Sequence, residues 1–306
     1  MSIIVYNVCE ADEGLRIDKY ITEQEKIFSR NYVQKLISES GITVNGKIIK
    51  PSYQLRIDDQ IIINVPEMQE PEILPENIEL NILYEDPDLI VIDKPKGMVV
   101  HPAAGHYSKT LVNALMYHCK DLSGINGIMR PGIVHRIDKE TSGILVCAKS
   151  DFAHRSLAQQ LKEHTITRKY EAICCGKLKE SEGTVNAPIG RNPNNRKLMA
   201  VNYKNGKNAL THYKLKKEFD KYSYIECILE TGRTHQIRVH MSSIGHPLLG
   251  DTAYGGRLSE YKLDGYSLNG QTLHAKILGF IHPRTGEYLE FESDLPEYFQ
   301  KLLTIL

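Results

Sequence analysis

The hydrophobic positions of the first 65 residues predict two short helices followed by strands. Apolar residues recur at helical spacing in two places: Leu15, Ile17, Tyr20 and Ile21, then Tyr32, Val33, Leu36 and Ile37. Ser29 is placed to cap the second helix and Gly41 to end it as its left-handed C′ residue. Asn45-Gly46 between two apolar runs predicts a hairpin with a type I′ turn, and residues 61–63 form a further strand.

The rest of the chain predicts strands and helices without a regular βαβ alternation. The predicted strands are residues 89–93, 132–137, 143–148, 169–175, 222–230 and 273–281, and the predicted helices are residues 109–118, 151–163, 234–244 and 295–305. Ser150 and Thr234 are the expected caps of two helices, and Pro296 lies near the first turn of the last one. Strands that neighbour each other in sequence favour an α+β fold with a mixed, mainly antiparallel sheet.

Residues 66–80 separate these two regions. They contain three prolines and five glutamates with few apolar anchors, a composition typical of a linker. We therefore expect three parts: a small α+β module over residues 1–65, an acidic proline-rich linker over 66–80, and a large domain over 81–306.

Composition and charge restrict the class of protein. No run of eighteen apolar residues occurs, and the acidic N-terminus lacks the basic start of a signal peptide. The six cysteines have no framework spacing, which favours reduced thiols in a cytoplasmic protein. The net charge is zero, but residues 66–92 carry eight acidic and no basic side chains. Residues 93–306 carry nine excess positive charges. This excess can attract a polyanion. The alternative is that the charge is uneven only because the acidic segment keeps the protein soluble.

The segment 131–149 carries the most informative chemistry. Its sequence, PGIVHRIDKETSGILVCAK, places acidic, basic and hydroxyl side chains between two apolar runs. A solvated hairpin turn is normally shorter and richer in Asn, Asp and Gly. Polar groups held between buried strands are typical of a reactive centre. The tetrapeptide Arg-Ile-Asp-Lys also occurs at residues 16–19, so these four residues alone identify nothing.

Five motifs follow one another along the large domain: DKP at 93–95, HRIDKETSG at 135–143, RKYEA at 168–172, ETGRTHQIRVH at 230–240 and HPLLGD at 246–251. Together they resemble the motifs of the pseudouridine synthases that modify large-subunit ribosomal RNA. The module before the linker resembles the αL-type RNA-binding module that some of these enzymes carry. Ile137 and Glu140 replace the commoner Leu and Asp of the family pattern.

The resemblance implies that Asp138 is the catalytic aspartate. An aspartate has an ordinary pKa of about 3.9, so it is ionised at neutral pH. A carboxylate can attack the sugar C1′, or it can assist the departure of uracil by deprotonating the sugar, and the sequence does not choose between them. The isomerisation changes no oxidation state, so we expect no cofactor.

The resemblance also implies substrate-binding roles for four residues around Asp138. Arg238 pairs with the aspartate, Arg136 fills the space left by a flipped-out uridine, Tyr170 stacks on the uracil, and Ile237 forms an apolar wall. Each residue type has a plainer alternative. Arg238 could contact phosphate or form a surface ion pair, Tyr170 could be a core aromatic of a strand, and Ile237 could be purely structural.

Further residues are candidates for binding RNA, with two places supplying most of them. The second helix of the module displays Arg30, Gln34 and Lys35, and the loop that follows Gly190 displays Arg191, Arg196 and Lys197; Arg233 lies in the fourth motif. The loop could grip phosphates or be an ordinary solvated loop. His235 and His240 are five residues apart, which is not a shared helical face, so we expect no metal site.

The sequence thus predicts an enzyme that isomerises specific uridines of large-subunit ribosomal RNA, as a monomer acting on the RNA or on a pre-ribosomal particle. Three alternatives stay open: an inactive RNA-binding ribosome-assembly factor, a pseudouridine synthase acting on transfer RNA, and a hydrolase of small nucleosides. A hydrolase would normally show a pair of carboxylates, and only Glu140 lies near Asp138 in the sequence.

Overall fold

The computed structural model describes residues 2–25, 28–65, 73–102, 107–120, 122–125, 131–256 and 268–306. They form two compact units that divide between residues 72 and 73. Residues 66–72 of the predicted linker lie outside the described residues. Its remaining part, 73–80, belongs to the second unit, because Ile73 is buried in that unit's core and Asn113 donates a hydrogen bond to the Leu74 carbonyl at 2.8 Å. The linker prediction was therefore wrong for residues 73–80.

The first unit confirms two helices and a sheet. Its elements are β1 (Ser2–Asn7), α1 (Ile17–Gln24), α2 (Arg30–Ser38), β2 (Ile42–Val44), β3 (Lys47–Ile48) and β4 (Gln60–Val65). The strands pair antiparallel in the order β1-β4-β2-β3. The apolar residues of both helices pack on one face of this sheet, as the helical spacing predicted.

The caps of α2 agree with the sequence prediction at one end only. The Ser29 side chain accepts the Tyr32 N–H, as expected for an N-cap. The left-handed residue at the other end is Ser40, with φ of 61°, and not Gly41. Gly41 instead follows it and donates its N–H to the Leu36 carbonyl at 2.8 Å, the outer bond of a Schellman motif.

The second unit contains four α-helices and eleven strands among its described residues, in addition to a short 3-10 helix, Thr252–Tyr254. They are β5 (Ile82–Glu85), β6 (Leu89–Lys94), α3 (Leu111–His118), β7 (Ser142–Ala148), α4 (Asp151–Glu163), β8 (Thr167–Cys175), β9 (Glu182–Asn186), β10 (Ile189–Arg191), β11 (Met199–Val201), β12 (Leu210–Glu218), β13 (Tyr222–Leu229), α5 (Gln236–Ser243), β14 (Leu273–Ile281), β15 (Tyr288–Glu292) and α6 (Glu297–Ile305). Strands β10 and β11 form a separate hairpin.

The main sheet has the order β5-β6-β7-β14-β8-β13-β12-β9, with β15 paired to β14. The β7–β14 pairing is parallel, and the other pairings within the described strands are antiparallel. This confirms the α+β class and the mainly antiparallel sheet that the sequence predicted.

Helices cover both faces of this sheet. Alternate residues of β6 show the division, since Ile90 and Ile92 join the core under α3 and α5, whereas Leu89 and Val91 join the core under α4. Burial on both faces explains why β6 and β7 are continuous apolar runs. Among the described residues, no helix combines the length and the apolar character that a membrane span needs.

The strand predicted over residues 132–137 is absent. Only Ile133 forms a bridge, to Cys147 of β7. Farther along, β7 bonds to a side chain and not to the backbone of this segment: His135 Nε2 accepts the Val146 N–H at 3.0 Å. The backbone holds the start of the segment to β7, since the Ala148 N–H donates to the Gly132 carbonyl at 2.8 Å. From His135 onward a side chain holds it, so the backbone can turn toward a cavity.

Two helix starts also differ from the sequence prediction. The residue before α5 is His235 in a left-handed conformation, and Thr234 caps nothing. The last helix begins at Glu297 and not at residue 295, although Pro296, its N-cap, does lie beside the first turn as predicted.

Candidate active site

The polar segment turns immediately before β7, and this turn carries Asp138. The Thr141 N–H donates to the Asp138 carbonyl at 3.0 Å, which closes a β-turn. Gly143 follows with φ of 110°, and a Cβ there would lie 2.3 Å from the Ala275 carbonyl oxygen of β14. Only glycine permits this close approach of β7 to β14, and the approach fixes the end of the loop.

A buried lysine holds the same turn from the other side. Lys94 is fully buried, and its Nζ donates to the carbonyl of Lys139 at 3.2 Å and to those of Pro95 and Met98 at 2.8 and 2.9 Å. The Gly97 N–H donates to the same Lys139 carbonyl at 2.8 Å. Burial lowers the pKa of Lys94 to about 7. The backbone next to Asp138 is thus fixed by two donors.

One arginine links Asp138 to a second carboxylate. Arg238, on α5, donates from Nη1 to Asp138 Oδ2 at 2.9 Å, and from Nε and Nη2 to the two oxygens of Asp251 at 2.6 and 2.9 Å. Burial alone would lower the pKa of Arg238, but the two carboxylates raise it above its ordinary value. The guanidinium therefore stays charged beside Asp138.

A histidine and a tyrosine complete the surroundings of Asp138. His235 Nε2 lies 3.8 Å from Asp138 Oδ1, and its Nδ1 lies 2.7 Å from the Tyr254 hydroxyl oxygen. The Tyr254 ring also lies under the Arg238 guanidinium, with 4.9 Å from its Cζ to the ring centroid, a cation–π contact. Burial lowers the pKa of His235 below its ordinary value, so its neutral form is favoured.

Asp138 faces a cavity of about 450 Å³. Its walls include Tyr170 of β8 and Ile237 of α5, both buried, together with the exposed Arg136. Burial raises the pKa of Tyr170, which keeps its hydroxyl protonated. Arg136 Nη1 lies 3.2 Å from Nε2 of His101. The volume is sufficient for a nucleotide-sized ligand.

The lining of this cavity is strongly positive. Asp138 is the one carboxylate among the lining residues, whereas the cations are Arg136, Lys162, Arg168, Arg233 and Arg238. Arg168 is buried without a carboxylate, since its Nη2 donates to the Glu230 carbonyl at 3.0 Å and its Nε has no partner among the described residues. Such a surface attracts a polyanion.

Comparison with known proteins agrees with this geometry. Residues 88–243 match the family model described as RNA pseudouridylate synthase, and residues 15–61 match the S4 domain. An uncharacterized RNA pseudouridine synthase of Bacillus subtilis (strain 168) is 50% identical over 303 residues, which is 99% of this chain and 98% of that protein.

The chain belongs to the RNA pseudouridylate synthase family. It is therefore an isomerase, and the predicted αL-type RNA-binding module is confirmed as an S4 domain.

Two further relatives of this synthase extend the comparison. The ribosomal large subunit pseudouridine synthase D of Zymomonas mobilis subsp. mobilis (strain ATCC 31821 / ZM4 / CP4) is 46% identical over 300 residues, covering 96% of this chain and 94% of that protein. The solved structure of human RNA pseudouridylate synthase domain containing 1 has a TM-score of 0.58 and 28% identity, and covers 72% of this chain and 85% of that one.

The synthase fold brings together only part of the residues that the sequence proposed. Asp138, Arg136, Tyr170, Ile237 and Arg238 line one cavity. So does Arg233, whose Nε donates to the Asn208 carbonyl at 3.0 Å. The other candidates lie elsewhere: Arg30, Gln34 and Lys35 on α2 of the first unit, and the exposed Arg191, Arg196 and Lys197 on the β10–β11 hairpin and the loop that joins its strands.

Sequence reasoning gave no role to Asp251, Tyr254, Arg168 and Lys94. Asp251 is the N-cap and Tyr254 the last residue of a 3-10 helix of only three residues, Thr252–Tyr254, which is too short to show a periodicity. Lys94 and Arg168 stand in two of the quoted motifs, but their burial was not predicted because lysine and arginine are rarely fully buried.

Within the part of the chain that the structure describes, one group has the donor types of a metal site. Ligand atoms of Glu85, His118 and Cys119 lie within 4.8 Å of one another, outside the cavity lining. Glu85 is already bonded at 2.8 Å to His118 and at 2.8 Å to Lys149, so its charge is compensated without an ion.

Proposed function

We propose that this synthase converts specific uridines of large-subunit ribosomal RNA to pseudouridine, with Asp138 as the catalytic group. The observation that carries the proposal is the Asp138 carboxylate, which faces a positive cavity while Arg238 occupies one of its two oxygens. The printed names of relatives at 42–46% identity, ribosomal large subunit pseudouridine synthase D, support this choice of RNA.

The proposed reaction begins when the target uridine leaves the helix stack. Unstacking costs about a few kcal/mol, and Arg136, exposed at the cavity, would fill the vacated space. Tyr170 and Ile237 would hold the uracil between a ring and an apolar wall. The cations of the cavity would hold the adjoining phosphates.

In the chemical steps, the bond between C1′ and N1 breaks and a bond between C1′ and C5 forms. Oδ1 of Asp138 is the oxygen that Arg238 leaves open, so it would attack C1′ or remove a proton from the sugar. The uracil then turns and C5 bonds to C1′, while the Oδ1–C1′ bond breaks on the first route or Asp138 returns the proton to the sugar on the second. The C5 proton is then lost to water while N1 gains one. The Tyr170 hydroxyl, kept protonated by burial, would assist this proton transfer.

The proposal has further parts that concern the setting. The enzyme would work in the cytoplasm as a monomer, on the RNA or on a pre-ribosomal particle. Its residues 1–65 would form the RNA-binding module and Arg30, Gln34, Lys35, Arg191, Arg196, Lys197 and Arg233 would contact phosphates. The positive charge of all except Gln34, and the exposure of all except Gln34 and Arg233, support this assignment.

The test uses large-subunit RNA from a strain that lacks this gene, labelled with tritium at C5 of uridine. Pseudouridine formation releases tritium to water, so wild-type enzyme should release it and Asp138→Asn should not. Asp220→Asn, an exposed aspartate in the β12–β13 turn, is the matched control and should keep full activity. Activity of Asp138→Asn would overturn the catalytic assignment. Release from transfer RNA but not from ribosomal RNA would overturn the choice of substrate, and no release from either RNA would leave the protein a binding factor.

A further inference from the structure

His235 has a backbone conformation that few residues adopt. Its φ is 57° and its ψ is 25°, and it precedes α5 without capping the helix through its side chain. A left-handed residue other than glycine is maintained only where its surroundings fix it, and such residues cluster at functional sites. At this position the imidazole lies between Tyr254 and Asp138.

We propose that Tyr254 fixes His235 in the tautomer that donates Nε2–H to Oδ1 of Asp138, and that this donor positions the reactive carboxylate. The inference rests on the proposed catalytic role of Asp138. It makes His235 a positioning residue and Tyr254 the group that sets its tautomer.

The hydrogen bonds of Tyr254 determine the tautomer. Its hydroxyl oxygen accepts the Met199 N–H at 3.0 Å, and burial raises its pKa, so the hydroxyl keeps its own hydrogen. We assign that hydrogen to the contact with His235 Nδ1, which lies 2.7 Å from the hydroxyl oxygen. A neutral imidazole has one donor and one acceptor nitrogen. Because Nδ1 accepts, Nε2 carries the proton.

The Nε2–H group faces the reactive oxygen of Asp138. The separation of 3.8 Å from Nε2 to Oδ1 is longer than a hydrogen bond. Catalytic hydrogen bonds in ligand-free sites are often long and shorten when substrate enters. With Arg238 on Oδ2 and His235 on Oδ1, the plane of the carboxylate is defined at both ends. A protonated Nε2 cannot accept the C5 proton, so His235 is not the base of the reaction.

The charges that face His235 indicate what happens when the tyrosine hydroxyl is removed. Asp138 and Asp251 favour an imidazolium, whereas burial, Arg238 and Arg136 oppose it. Removing the hydroxyl leaves Nδ1 without its donor, so Nδ1 can take up a proton and the pKa of His235 rises. An imidazolium would form a full ion pair with Asp138 and weaken the carboxylate as a nucleophile or base.

The experiment compares two substitutions that place the same amide group at different distances from the backbone. His235→Gln places an amide N–H near the position of Nε2, whereas His235→Asn places it near Nδ1 and cannot reach Asp138. Asn tolerates the left-handed conformation better than Gln does, so a purely structural role would favour Asn. We expect the single-turnover rate at saturating RNA to fall about 10- to 100-fold in His235→Asn, the loss that a misplacement of about 1 Å causes. His235→Gln should recover most of it, with the Kd for RNA unchanged in both.

Tyr254→Phe keeps the ring under Arg238 and removes only the hydroxyl. Its rate, measured from about pH 5.5 to about pH 8.5, should show the acid-side decline moved to higher pH. The double variant His235→Gln/Tyr254→Phe has no imidazole and should lose this displacement. His212→Gln, at an exposed histidine paired with Glu230, is the control and should match wild type.

The inference is overturned if His235→Asn is as active as His235→Gln, or if Tyr254→Phe keeps the wild-type pH profile. Asp138→Asn, assayed in parallel, separates the two proposals. If it is inactive while all His235 variants are fully active, only the positioning role fails. If it is active, the proposed function itself fails.

Discussion

The tetrapeptide Arg-Ile-Asp-Lys occurs in both units with opposite consequences for its aspartate. At residues 16–19 it starts α1, and the Asp18 side chain is 0% exposed. At residues 136–139 it lies in the turn before β7, and the Asp138 side chain is 18% exposed at a cavity. The isoleucine is buried in both places, so the contrast comes from the donors around each carboxylate.

Asp18 is saturated with hydrogen-bond donors. Arg16 reaches both of its oxygens, and Arg30 and Gln34 of α2 donate to Oδ2 at 2.8 to 3.1 Å. The hydrogen bonds of Arg16 above all hold the pKa of Asp18 well below its ordinary value. This carboxylate ties α1 to α2, and because its side chain is fully buried, neither oxygen faces a space for substrate.

Asp138 is only partly satisfied. Arg238 occupies Oδ2, and Arg136, two residues earlier, turns away toward His101 instead of folding back as Arg16 does. Oδ1 therefore stays open to the cavity. A carboxylate becomes reactive when its neighbours leave it a charged oxygen that faces a space for substrate, and the local sequence does not decide this.

The largest expected effect is the loss of reaction rate when the arginine that binds Asp138 is removed, compared with removal of an arginine that binds Asp18. Arg238→Met should lower the single-turnover rate at saturating RNA by about 100-fold or more, because Asp138 and Asp251 would face each other without a shared cation. Arg30→Met removes the corresponding partner of Asp18 and should leave that rate within about twofold.

Arg238→Lys serves as the second variant in the same assay. Lysine keeps the charge but cannot bridge both carboxylates with a planar fork, so its rate should lie between those of wild type and Arg238→Met. Equal rates for Arg238→Met and Arg30→Met would contradict the distinction between the two aspartates.

A smaller effect, on stability, is expected at the structural aspartate. Asp18→Asn should destabilise the first unit by about 2 kcal/mol, since hydrogen bonds to a charged group contribute about 1.5–3 kcal/mol each and two of the donors are half exposed. Hydrogen exchange of the full-length protein should show faster exchange in α1 and α2 and unchanged exchange in β6 and β7. Unchanged protection of both helices would show that the saturated carboxylate does not hold them together.

The parts of the fold that the sequence predicted share a strong local signal. Helix α4 was predicted at residues 151–163, its observed bounds, because Ser150 caps it and its apolar face is regular. Strands β6 and β7 are buried on both faces and are short apolar runs. Strand β12 was missed because four of its last five residues are exposed and it carries three lysines, so it shows no regular apolar alternation.

The site was predictable to the extent that its motifs are local. Asp138, Arg238 and Tyr170 lie in three separate motifs, and only the resemblance to a family brought them together. The contacts of Asp251 and Tyr254 with Arg238 could not be predicted, because a 3-10 helix of three residues, too short to leave a pattern in the sequence, returns them to α5. The strand predicted over residues 132–137 failed for a related reason: the His135 side chain takes the Val146 N–H that a strand would have bonded.

The smallest expected effect is on the affinity for RNA and concerns the surface of the first unit. Two exposed lysines there each form an ion pair with a glutamate. Lys35 on α2 and Lys19 on α1 each lie 3.7 Å from a glutamate four residues later, and such exposed pairs add little to stability. Lys35→Glu should raise the Kd for RNA several-fold and reduce the salt dependence of binding by about one phosphate contact. Lys19→Glu, with the same change of charge, should alter the Kd less. Arg30→Glu is a poorer test, since it would place a glutamate against Asp18. Equal losses for both lysines would mean that binding depends only on net charge, and a loss of maximal rate in Lys35→Glu would mean that α2 contributes to the active site.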